Sequence, residues 1–121
     1  MSKLRELTVV PDTRCCTPLS ERALPAETAR DLAPAFKALG DPVRLQLLSQ
    51  IATASGGEAC VCDLSPAFDL TGPTISHHLK VLREAGLIDC ERRGTWVFYW
   101  AIPERIAVLS QLLTVTSAVP R

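Results

Sequence analysis

"TGPTISHHLKVLREAGL", residues 71–87, is the stretch on which the fold turns. Thr71 has the side chain of a helix N-cap, Pro73 suits the first turn, and Gly86 is a common left-handed terminator. Between them Ile75, Leu79 and Leu82 recur at helical spacing and form a narrow apolar seam. Thr74, Ser76, His77, His78, Lys80 and Arg83 fill the remaining faces. The spacing predicts a helix with one dry side and one side rich in hydrogen-bonding groups. Such a helix needs a scaffold for its seam and a partner for its polar face.

Both flanks supply scaffold. Downstream, "LIDCE", "RRG" and "TWVFYW" read as strand, turn and strand, with Arg92 and Arg93 at the hairpin tip. Upstream, "GDPVRLQLLSQIATASGG" reads as a helix capped by Asp41, with Pro42 at its first position and paired glycines at its end. Val43, Leu47 and Ile51 form one stripe and Leu45, Leu48 and Ala52 another, so most of that helix should be buried. A short helix is expected around Asp63 to Phe68. Ala29, Leu32, Phe36 and Leu39 mark an earlier helix, and Pro34 favours a late start near Asp31 over a kink.

A helix, a short helix, a polar-faced helix and a hairpin in that order make a winged helix-turn-helix, mainly α with a small β-hairpin. Residues 1–20, with Pro11 and Pro18 and no sustained periodicity, read as a flexible N-terminal arm carrying Cys15 and Cys16. Residues 21–121 then form the DNA-binding and dimerisation domain. Its last helix, Pro103 to Leu113, carries Ile106, Val108, Leu109, Leu112 and Leu113 on a stripe too wide for one small core. A second copy of the chain is the simplest cover, which makes the expected state a homodimer.

The bulk numbers fit this reading. At 121 residues, 47% hydrophobic and 21% charged, the chain suits one globular domain. The formal net charge is zero, so a nucleic-acid surface has to be local. Between 71 and 95 four cations (Lys80, Arg83, Arg92, Arg93) face three anions (Glu84, Asp89, Glu91), so placement matters more than the sum. Thr71, Thr74, Ser76, His77 and His78 can bond phosphates or base edges. Adjacent histidines on a helix point about 100° apart, which makes a shared ion awkward and DNA contact the better use. No apolar run has membrane-spanning length and no secretion signal opens the chain, so a cytoplasmic location is expected. In a reducing compartment five cysteines read as thiols that bind or react.

"FKALGDPVRLQLLSQI", "CVCDLS" and "PTISHHLKVLREAGLI", with the hairpin after them, resemble the ArsR/SmtB family of bacterial metal-responsive repressors. The resemblance runs from about Leu32 to Leu113. It implies a homodimeric winged-helix repressor that leaves double-stranded operator DNA when a metal or metalloid binds, with the terminal helices as dimer interface. Two departures stand out. Gly72 occupies the place before the proline where the family usually has glutamine, so a bidentate reader of adenine is missing there. "PERIAVLSQLLTV" has no histidine and Glu104 is its only acid, which rules out the acid and histidine ligands of the zinc-sensing branch.

"CVCDL" resembles the thiol site of the arsenic-sensing branch, where a third cysteine stands at the position of Ser65. Residues two apart share a side in extended chain but oppose each other in a helix. Cys60 and Cys62 can therefore share an ion only if that segment is extended or the helix start gives way. The missing donor is sought in the arm, so the expected ligand set is Cys15, Cys16 and one of Cys60 or Cys62, with Cys60 preferred. Arsenite or antimonite, soft and three-coordinate, suits such a set. A divalent ion (cadmium, lead or zinc) or a thiol-redox response of the same fold is the alternative. Cys90, alone in an expected strand, reads as a small hydrophobe. No phosphate cradle, acid pair or oriented triad supports an enzyme.

Overall fold

A computed structural model describes residue 18 and residues 22–64 and 70–114. The expected arm, with Cys15 and Cys16, lies outside the described residues apart from Pro18, as does Ser65. The elements are α1 (Ala26–Leu39), α2 (Pro42–Thr53), a 3-10 turn (Ser55–Gly57), β1 (Ala59–Cys60), α3 (Val61–Leu64), α4 (Gly72–Glu84), β2 (Ile88–Arg93), β3 (Trp96–Ala101) and α5 (Pro103–Leu112). They fall into two compact units, one of residues 33–102 and one that joins the segments before and after it.

The first unit is the winged helix-turn-helix. Asp41 caps α2 by accepting from the N–H groups of Val43 and Arg44 at 3.0 and 3.2 Å. Thr71 caps α4 by accepting from Thr74 N–H at 3.3 Å. At the other end of α4, Gly86 sits at φ 81°. Its N–H donates to Arg83 O and that of Leu87 to Leu82 O, a Schellman closure that satisfies the last carbonyls. The expected seam is the core: Ile75, Leu79 and Leu82 are fully buried with Leu47, Ile51, Leu64, Leu87 and Ile88. Helix α2 packs on α4 and on β3.

The sheet is antiparallel with order β1-β3-β2. In β2–β3 the register runs from Ile88 opposite Ala101 to Arg93 opposite Trp96. The turn is therefore Gly94–Thr95, with Gly94 at φ 68°, and not "RRG": Arg92 and Arg93 are the last residues of β2. The additional strand β1 pairs Ala59 with Tyr99 and Cys60 with Phe98.

Three further expectations are corrected. Helix α1 starts at Ala26, five residues before Asp31, and carries Pro34 in its interior. Pro34 and Arg30 are both exposed, so the carbonyl that loses its partner one turn back can be hydrated. Leu32, Ala35 and Ala38 meanwhile keep a buried stripe on the opposite side. In α2 only Leu47 and Ile51 are buried, and Leu45 is 54% exposed, because one stripe suffices for contact with α4 and β3. The short helix expected from Asp63 begins earlier, at Val61; residues 65–69 lie outside the described residues.

In the second unit Leu109 and Leu112 of α5 are buried, and Leu113 is exposed. Arg105 donates to the carbonyl of Asp31 at 3.3 Å, while its Nε is buried with no partner among the described residues.

Candidate nucleic-acid interface and thiol pair

Helix α4 presents Thr71, Ser76, His77, Lys80 and Arg83 to solvent. Its cations are loosely engaged: Lys80 lies 4.0 Å from Glu84, and Arg83 Nε lies 3.4 Å from Asp89. Exposed pairs of this length contribute little and can exchange for a phosphate. Thr74 is half-buried and shares a 2.9 Å hydrogen bond with the Thr71 hydroxyl. His78 is half-buried as well. Its Nδ1 accepts from Arg44 Nη1 at 3.2 Å, while Arg44 Nε donates to Ala38 O at 2.7 Å. Arg44 thus ties the end of α1 to the middle of α4, and His78 serves that tie. The two histidine rings, tilted and 6.0 Å apart, do not converge on one point.

The wing holds its two arginines differently. Arg92 is exposed, and its side chain makes no hydrogen bond or ion pair among the described residues. Arg93 donates from Nη1 and Nη2 to the two oxygens of Glu58 at 2.6 and 2.9 Å. It also donates from Nε and Nη2 to Glu91 at 3.0 and 2.9 Å, and its guanidinium lies 4.8 Å from the Phe98 ring centre. The Arg93 hydrogen bonds hold the Glu58 carboxyl below its usual range, and Glu58 and Glu91 hold the guanidinium above its own. Sequence reading missed Glu58. Its signal was parity, since Glu58 and Cys60 share a side wherever the chain is extended.

Beside that pair lie the thiols. Cys60 closes β1 and Cys62 is the second residue of α3, so the junction between strand and helix brings together two side chains that a continuous helix would oppose. Their sulfurs are 3.0 Å apart, with the Cys62 thiol donating to Cys60. Cys60 is buried and Cys62 exposed. Asp63 accepts weakly from Cys60 N–H at 3.4 Å. The hydrogen bond to Cys60 raises the Cys62 pKa, with burial and the nearby charges of Cys60 and Asp63 adding to it. Among the described residues no three His, Cys, Asp or Glu side chains form a metal-holding group. The pair supplies two donors, and a third would have to come from outside them. Cys90 is half-buried on the other side of the sheet, opposite Tyr99, in an open groove of about 430 Å³ lined also by Ser76, Lys80 and Arg83. Burial there raises the Tyr99 pKa.

Residues 41–89 match the profile of the bacterial regulatory proteins of the arsR family. Over 81 residues the chain is 40% identical to an uncharacterized HTH-type transcriptional regulator of Methanocaldococcus jannaschii, covering 67% of this chain and 89% of that protein. The chain belongs to the ArsR family. It is a transcriptional regulator with a DNA-binding winged helix, not an enzyme. This ArsR-family chain is also 40% identical over 74 residues to the arsenical resistance operon repressor of Bacillus subtilis, covering 61% of the chain and 69% of that protein. Among solved structures it is similar to the homodimeric winged helix-turn-helix DNA-binding domain of a possible ArsR-family regulator from Mycobacterium bovis. That match has a TM-score of 0.59 and 30% identity, and covers 71% and 80% of the two chains. Among the described residues, no helix is long and apolar enough to cross a membrane.

Proposed function

We propose that this ArsR-family protein is a repressor that binds operator DNA as a homodimer and releases it when arsenite or antimonite is captured by cysteine sulfur. The observation that carries the reading is the 3.0 Å contact between the Cys60 and Cys62 sulfurs at the root of the reading unit. Cys15 and Cys16 are the proposed source of the third donor. In this reading Thr71, Thr74, Ser76, His77, Lys80, Arg83 and Arg92 face the DNA, while His78 and Arg93 act through their protein partners.

Arsenite exchanges each hydroxide for a thiol sulfur, and the thiol proton leaves in water. A raised Cys62 pKa therefore does not oppose capture, and little net charge arrives to repel phosphate. Release must come from shape: the ligand has to favour the DNA-free form, typically by about 1–3 kcal/mol. The segment it grips joins β1 to α3, which precedes α4 in the chain.

Fluorescence anisotropy on operator DNA tests the reading. The parent should release DNA at stoichiometric arsenite, and Cys60→Ser and Cys62→Ser should stay bound. Cys15→Ser/Cys16→Ser protein released as readily as the parent would remove the arm from the site. The sulfur contact also favours a second reading, a disulfide switch. Peroxide would then release DNA without arsenite, and a reductant would restore binding.

A further inference from the structure

Arg92 and Arg93 are neighbours in β2, yet only Arg92 is available to a phosphate without breaking contacts inside the chain. Arg93 makes four donations to two carboxylates and lies over an aromatic ring. A guanidinium held in a bidentate fork is fixed in position as well as neutralised. The residues that hold it converge on the thiols. Glu58 has extended backbone, φ −130° and ψ 149°, and lies two residues before Cys60, so the two point to the same side of the chain. Phe98, under the guanidinium, is the residue opposite Cys60 in β1 and opposite Glu91 in β2. One face of this small sheet thus runs from a ligand-capable sulfur, through Phe98 and Glu58, to the end of the wing.

We infer that Arg93 is a positioning residue: the Glu58–Arg93 pair is a strut that carries the state of the Cys60–Cys62 pair to the wing, an inference resting on the functional reading above. Strand β1 is two residues long and has only β3 as a neighbour. A ligand that draws the two sulfurs onto itself must move β1, and Glu58 moves with it. The fork then opens or drags Arg93, and the end of β2 shifts. Arg92, one residue away, loses its aim on the phosphate. The wing is disengaged without any charge being added to it.

The test uses full-length protein and operator DNA over a salt series, with and without arsenite. Arg92→Gln should flatten the log–log salt dependence by about 1, the mark of one lost phosphate contact. Arg93→Gln and Glu58→Gln should leave that slope as in the parent, yet lower the arsenite-induced drop in affinity about tenfold, within the usual span of such couplings. The exchanged pair, Glu58→Arg with Arg93→Glu, should restore the drop, which no loss of phosphate contact would do. If Arg93→Gln flattens the slope by about 1 while Glu58→Gln responds to arsenite like the parent, Arg93 is a phosphate ligand and the strut does not exist. If the parent keeps its DNA through excess arsenite and antimonite, the functional reading falls. Hydrogen exchange at residues 92–98 then decides the strut alone: it should quicken in both single variants, and unchanged exchange overturns it.

Discussion

Helix α4 and the β1–α3 junction lie close in the chain and are built on opposite terms. Helix α4 is closed at both ends by its own residues, Thr71 and Gly86, and is anchored by three side chains with no solvent exposure. The junction is a two-residue strand followed by a four-residue helix, held by the buried Ala59, Cys60 and Leu64, by pairing with β3, a 3.4 Å contact from Asp63, and the Glu58–Arg93 fork. Short segments ordered by partners far away in the chain open more easily than a helix capped by its own neighbours, and moving elements are drawn from the less stable end. A self-closed helix beside a segment ordered by distant partners is the division of labour on which the proposed release from DNA would draw.

The largest effect should come from Leu79→Ala, which empties the middle of the α4 seam and should cost about 2–5 kcal/mol. Denaturant unfolding at a fixed protein concentration measures it, since the proposed dimer would make stability concentration-dependent. Cys60→Ala, at a site almost as buried, removes one sulfur and should cost much less. Equal losses would erase the contrast, because the junction would then be as much a part of the core as α4.

Next in size is Thr71→Ala. It removes the acceptor for Thr74 N–H, and a lost cap of this kind costs about 1 kcal/mol. The readout is unfolding without DNA, so that any phosphate contact by the same hydroxyl does not enter. No loss would mean that α4 begins on tertiary support, and its independence from its surroundings would be overstated.

Legibility in the sequence follows the same division. The cap, seam and terminator of α4 are local, so "TGPTISHHLKVLREAGL" announced them, and Asp41 announced α2 equally well. Strand β1 was not legible, because two residues have no period. What makes Ala59 and Cys60 a strand is Tyr99 and Phe98, about forty positions later. The same distance hid Glu58 from Arg93, and it placed Arg92 and Arg93 in a turn when pairing extends β2 through both. Pro34 misled for a different reason: proline forbids a helix only where the lost bond cannot be replaced by water, and exposure of that side depends on packing. For the thiols, the rule that alternate residues oppose each other in a helix framed the question correctly. The answer, a break between strand and helix between the two cysteines, was tertiary.

The smallest effect probes that break directly. Hydrogen bonding to Cys60 favours the protonated form of Cys62 and raises its pKa. A raised folded-state value means that the stabilisation is fully present below the ordinary thiol pKa, about 8.5, and is lost as pH rises through the raised value. Because the thiolate is the nucleophile, Cys62 should react with iodoacetamide more slowly than a free cysteine at neutral pH, with its midpoint displaced upward. Cys60→Ala should move that midpoint back toward the ordinary value, as followed by mass spectrometry of the 58–64 peptide. An unchanged profile would mean that the neighbouring sulfur does not set the state of Cys62. The two thiols would then share a junction without sharing a proton, and the junction would rest on its buried side chains, β3 pairing and the Glu58–Arg93 fork.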